Sequence, residues 1–290
     1  MSMQTGVMRG IAWMVLGMSC IGMVDALAKY LGARLPGLEV AWGYFVAMLI
    51  NLCIWAKVRG IPQRQLWHSK RPWLQSVRAL CLVGSLACLF SALRVLPLAE
   101  ATIISFTAPL FVVALAGPML GEPVGWRRWA AVLAGLVGAM LVIRPGTDLF
   151  QWAALLPLCG AVFFALFSLI TRLLGPADPP TTTLFYTTFV GAVALTLMAA
   201  AVWITPNGQE LGWFWLSGAL GVIAHLALVQ AMLHADASIV APLNYVRLIW
   251  AISIGIVVFG DWPTAAELVG GAVIVASGLY VVFSAARARL

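Results

Sequence analysis

The stretch AAVLAGLVGAMLVI (130–143) is an unbroken apolar run, and comparable runs fill almost the whole chain. A hydrocarbon core about 30 Å thick is crossed by about 20 helical residues. Ten segments meet that length, roughly 11–31, 38–57, 73–94, 98–120, 125–143, 150–173, 181–204, 211–233, 237–259 and 264–285. Barrel strands would alternate apolar and polar residues over short segments instead. The fold class is therefore all-α integral membrane. Only 9% of the 290 residues are charged, against about 25% in a soluble domain, so lipid must cover much of the surface. The first run is too long for the apolar core of a signal peptide and is read as a retained helix.

Short turns such as LGARLPG (31–37), GEPVG (121–125), GPADPP (175–180) and TPNGQ (205–209) separate the spans, and 58–72 is the one longer loop. With the N-terminus inside, eleven Lys and Arg fall on the inner side and four (Lys29, Arg34, Arg94, Arg144) on the outer. That asymmetry places both termini in the cytoplasm, and an even number of spans agrees with it. Most of the 13 tryptophans lie near span ends, where an amphipathic ring is favoured. The net charge of +7 is then an orientation signal, with no nucleic-acid partner implied. Five cysteines fall inside spans without ligand spacing, so neither disulfide, metal nor cofactor is expected.

An offset of 139 lays 92–122 over 231–261, with Phe106 on Tyr245, Phe111 on Trp250, Gly121 on Gly260 and Glu122 on Asp261. The expected domains are a first repeat, 1–146 (spans one to five), and a second, 147–290 (spans six to ten). Five spans is an odd number, so the second half traverses the membrane in the opposite sense. Inverted repeats of this kind are a plan of secondary transporters, with a central site near the midplane and alternating access. The fifth and tenth spans read as packing elements, through the small pairs Ala131/Gly135 and Ala272/Ala276.

PLAEATIISFTAPLFVVALAGPMLGEPVGWRRWAAVLAGLVGAMLVIRPG (97–146) and APLNYVRLIWAISIGIVVFGDWPTAAELVGGAVIVASGLYVV (241–282) resemble the matching regions of the drug/metabolite transporter superfamily, EamA-type branch. The resemblance spans essentially the whole chain. It implies ten helices in two inverted halves around a central cavity, in the inner membrane of a bacterium. It also implies transport of small organic metabolites, since amino-acid exporters, including those for aromatic amino acids, belong to this branch. Asp261 stands where the family usually has glutamate.

Charged residues at mid-bilayer cost about 2.5–3.5 kcal/mol on insertion scales and normally face the bundle interior or water. Arg247 lies ten residues into its span, about 15 Å at 1.5 Å per residue. Asn244, Tyr245 and Arg247 are read as lining the cavity, with His225 facing it. Arg247 would hold a substrate carboxylate by two parallel bonds, or else form an inert contact that locks the eighth and ninth spans. Ser105 and Thr107 hold the corresponding place in the first half and either bond substrate or bond back to their own helix. Trp250 joins the candidate site as an aromatic wall. Asp25 either pairs with Lys29 at i, i+4 or receives a substrate ammonium or proton. Arg78 either contributes to the site or reaches back to the cytoplasmic surface. The chain contains no GxxxxGK[ST], HExxH or GxSxG, so it is not read as an enzyme. The expected partners are a small-molecule substrate and membrane lipid, with the chain a monomer or weak homodimer. A flippase of lipid-linked precursors is the alternative, ahead of a membrane-embedded enzyme or a channel.

Overall fold

The computed structural model describes residues 2–121, 125–145, 151–175, 178–235 and 237–287. Among them there is no strand. The helices are α1 (Ser2–Gly32), α2 (Gly37–Val58), α3 (Gln63–Trp67), α4 (Pro72–Leu93), α5 (Leu98–Ser105), α6 (Ala108–Leu120) and α7 (Trp126–Ile143). They continue as α8 (Leu155–Leu174), α9 (Pro180–Ala199), α10 (Gly208–His234), α11 (Ala237–Val240), α12 (Val246–Ile254) and α13 (Ala265–Arg287). Ten candidate spans result, within a few residues of the expected bounds, and the fourth (Leu98–Leu120) and ninth (Pro242–Phe259) are each built from more than one element. An even number of crossings puts both chain ends on one face, called here the terminal face. The opposite one is the far face.

Helix ends follow local chemistry. Pro36 and Pro179 stand at the N-caps of α2 and α9 in extended backbone, where their missing N–H costs nothing. Asn207 accepts a bond from Glu210 N while Glu210 accepts one from Asn207 N. This capping box starts α10 at Gly208, three residues ahead of the expected 211. The 58–72 connection contains the short helix α3, whose Leu66 is buried.

The packing has the symmetry of an inverted repeat. α1 packs on α10 as α8 packs on α4, and α1 packs on α12 as α8 packs on α6. α2 packs on α10 as α9 packs on α4, while α2–α9 and α7–α13 pair with their own counterparts. α6 and the ninth span end on glycines in the left-handed region, Gly121 (φ 68°) and Gly260 (φ 71°), positions that suit a residue without Cβ. Both were equated by the offset of 139. Glu122, the acid expected to follow Gly121, lies outside the described residues. α7 and α13 do meet closely, through Gly138 and Gly270: a Cβ on either would fall 2.9 or 2.6 Å from the other's carbonyl oxygen. Of the expected small pairs, Ala131/Gly135 and Ala272/Ala276, Gly135 also approaches α13, where a Cβ would lie 3.2 Å from that of Ser277, whereas Ala272 and Ala276 are exposed. Gly135 gives room to Leu110 as well.

Candidate functional site

The fourth and ninth spans break at matching places. α5 ends at Ser105 and α6 begins at Ala108, with Pro109 in its first turn. In the ninth span α11 passes into a 3-10 segment, Ala241–Tyr245, containing Pro242, before α12 begins at Val246. Proline lacks the N–H that would continue the ladder. The Ser105 hydroxyl donates to Ala101 O (2.8 Å) and the Thr107 hydroxyl to Ile104 O (2.7 Å), so each bonds back to its own span. The rings of Phe106 and Tyr245, related by the repeat, meet with centroids 4.9 Å apart. Gly278 leaves room for the Tyr245 hydroxyl, which donates to Val275 O at 3.4 Å.

Just beyond the second break, Arg247 Nε donates to Asp25 Oδ2 at 2.5 Å, joining α12 to α1. Side-chain exposure is 3% for Asp25 and 20% for Arg247, so the pair is largely withdrawn from solvent. Two contacts bring the helices together. Trp250 Nε1 donates to the Ser19 hydroxyl at 2.8 Å, and Gly22 lets α12 in, since a Cβ there would lie 2.8 Å from that of Trp250. Asn244 is half-buried one turn before Arg247. His225 Nδ1 lies 3.0 Å from Gly221 O on its own helix. The buried Tyr44 brings its hydroxyl against the same Gly221 and lies within electrostatic reach of both Asp25 and Arg247. Tyr44 was not singled out from sequence; a phenol near the middle of the second span was the available signal.

The expected alternative for Asp25, an ion pair with Lys29, is not what forms. Lys29 Nζ lies 2.8 Å from Asp261 Oδ2 and donates to Leu96 O at 2.8 Å. It ties the far end of α1 to the turns before α5 and after the ninth span. Arg34 grips Glu210 with two nitrogens, Nε to Oε1 at 2.5 Å, and Ile204 N donates to buried Glu39 at 2.8 Å. Together these tie α1, α2 and α10 to their neighbours on the far face.

Arg78 does not reach the surface. It is 4% exposed and donates to Thr171 Oγ1 (3.3 Å), Thr183 O (3.1 Å) and Thr187 Oγ1. Its guanidinium covers the Phe167 ring at 4.7 Å. Two hydroxyls and a carbonyl from α8 and α9 thus hold its terminal nitrogens, while its buried Nε has no hydrogen-bond partner among the described residues. It lies between α4, α8 and α9, within electrostatic reach of His225. Nearby on the terminal face, Asp178 accepts bonds from Ser69 Oγ, Lys70 N and Gln75 Nε2. Burial pushes its carboxyl up, and these bonds outweigh that and hold it below the usual range. Among the described residues no group of His, Cys, Asp or Glu could hold a metal ion.

The model of the EamA-like transporter family matches residues 8–144 and again 151–284. An S-adenosylmethionine uptake transporter of Rickettsia felis is 29% identical, covering 96% of this chain and 94% of that protein. A riboflavin transporter of Vibrio cholerae is 31% identical, with 97% and 95% covered. The pseudopaline exporter CntI of Pseudomonas aeruginosa is 27% identical, with 92% and 93% covered. One solved crystal structure superposes with a TM-score of 0.65 at 22% identity, covering 99% of this chain and 98% of that one, which supports the fold. The chain belongs to the EamA-like transporter family of the drug/metabolite transporter superfamily, and is a multi-pass membrane protein that transports small molecules.

Proposed function

We propose that the chain carries small zwitterionic metabolites, foremost amino acids with apolar or aromatic side chains, by alternating access across the cytoplasmic membrane. The observation behind this reading is the Asp25–Arg247 pair beside the two helix breaks. A buried carboxylate and guanidinium in contact present the complement of an α-ammonium and an α-carboxylate. A zwitterion entering between them gives each charge a new partner, so neither is left bare in a low dielectric. The guanidinium fork matches a carboxylate with two parallel bonds. Phe106 and Tyr245 offer an aromatic wall, and Asn244 stands one turn from Arg247. Trp250 packs beside this centre, Ser105 and Thr107 hold the corresponding place in the first half, and His225 stands within electrostatic reach of Arg78, which anchors α4 to α8 and α9. S-adenosylmethionine, named for one set of relatives, itself has an α-amino-acid head on a flat base.

The two halves, 1–146 and 147–290, rock against each other about this centre with both termini cytoplasmic, an orientation supported by the Lys/Arg asymmetry. Counterflow of labelled phenylalanine in proteoliposomes, competed by each amino acid, S-adenosylmethionine and riboflavin, tests the substrate class. Competition confined to riboflavin would exclude the zwitterion reading. Repeating the assay with and without a pH gradient separates proton exchange from facilitated movement.

A further inference from the structure

A cavity of about 500 Å³ opens on the far face between the ends of α1 and α4, the start of α10 and the end of the ninth span. That volume falls in the range that encloses a small organic molecule. Its walls carry three cations, Lys29, Arg34 and Arg94, against one carboxylate, Glu210. Arg34 and Glu210 hold each other. Lys29 shares its ammonium between Asp261 and Leu96 O and lies within electrostatic reach of Glu100. Arg94 is exposed, and among the described residues it has no hydrogen-bonded or ionic partner. The apolar part of the lining is aromatic: Tyr30 stands edge-on to Trp213 at 6.1 Å, and Phe259 lies under Lys29 at 5.2 Å. Cationic and aromatic side chains lining one cavity describe a ligand with a carboxylate and a flat apolar body.

We propose that this cavity is a loading site for small aromatic carboxylates, distinct from the buried Asp25–Arg247 pair. Arg94 captures the carboxylate, and Tyr30 and Trp213 hold the ring. Lys29 forms the floor, one helical turn beyond Asp25 on the same face of α1. A carboxylate that reaches Lys29 competes with Asp261 and loosens the contact that ties α1 to the end of the ninth span. The route to the buried pair then opens beneath the ligand. The link between the two sites rests on the zwitterion reading above; the loading site itself does not.

Phenylacetate and its neutral analogue phenylacetamide are the probes, titrated into the full chain in lipid nanodiscs and read by calorimetry. Phenylacetate binds saturably, phenylacetamide at least about tenfold more weakly, the scale of losing a charged hydrogen bond. Arg94→Gln weakens phenylacetate by a similar factor, whereas the paired variant Asp25→Asn/Arg247→Gln leaves it unchanged. Equal binding of both probes, or full affinity in Arg94→Gln, overturns the proposal. Loss of binding only in the paired variant also overturns it, by moving the ligand to the buried pair. Binding as expected without amino-acid counterflow would leave the loading site standing and remove the zwitterion reading.

Discussion

Replacing Arg247 by alanine strips the partner from a carboxylate whose side chain is 3% exposed. Breaking a buried pair from one side costs about 3–5 kcal/mol, because the remaining charge is left in a low dielectric. On the scale of a chain this size that lowers the melting temperature by on the order of 10 °C. The single variant therefore loses stability and transport together and cannot separate a structural lock from a substrate site. Asp25→Asn/Arg247→Gln can. Removing both charges restores stability to within about 1 kcal/mol of the parent, since the desolvation of two ions is no longer opposed to folding. Melting in detergent and counterflow in proteoliposomes, measured on both variants, give the answer. A folded paired variant with no flux is the expected result. Parental flux in that variant would refute a substrate role, and an undisturbed melting temperature in Arg247→Ala would refute the burial argument itself.

Gly22→Ala places a Cβ 2.8 Å from that of Trp250; overpacking of this kind costs about 1–3 kcal/mol, and a melting curve identical to the parent's would contradict it. Lys29→Met removes the contact between α1 and the turn at Asp261, so a cysteine at position 28, in a cysteine-free background, should react faster with an impermeant maleimide from the far face. Asp178 is held below its usual range, so its contribution is full above about pH 4 and fades as the pH falls through its lower folded-state value. The stability gap between the parent and Asp178→Asn should then be widest near neutral pH and close in acid, and a gap independent of pH would count against the three bonds.

The spans were legible because lipid imposes one rule on every backbone group, and only long apolar helices satisfy it. Depth was legible by counting, which singled out Arg247. Its partner was not: Asp25 is 222 positions away, and counting along α1 offers Lys29 instead. The pairing depends on which face of α1 meets α12, and that is set by Gly22, Trp250 and Ser19 together. Arg78 shows the same limit. Its distance from the helix end suggested a reach to water, but the threonines of α8 and α9 that hold it come from the other half of the chain. The early start of α10 could have been read, since Asn207 and Glu210 have capping-box spacing.

What recurs in the two halves and what does not bears on the role of the pair. The Pro-capped starts of α2 and α9, the left-handed glycines 121 and 260, and the breaks at 105–107 and 241–245 all recur. These are features the scaffold needs in order to fold. LG followed by proline four residues after the glycine occurs at 31–36 and at 174–179, and that match sets Asp25 against Ser168. The offset of 139 sets Arg247 against Ala108. Ser168 simply donates to Phe164 O on its own helix at 2.8 Å. The equivalent positions on α8 and α6, which also pack together, thus carry a hydroxyl and a methyl where α1 and α12 carry two charges. A lock required by the architecture would be needed twice. The ion pair is present once, and the neutral solution already built into the first contact's counterpart is the reason the paired neutral variant should fold.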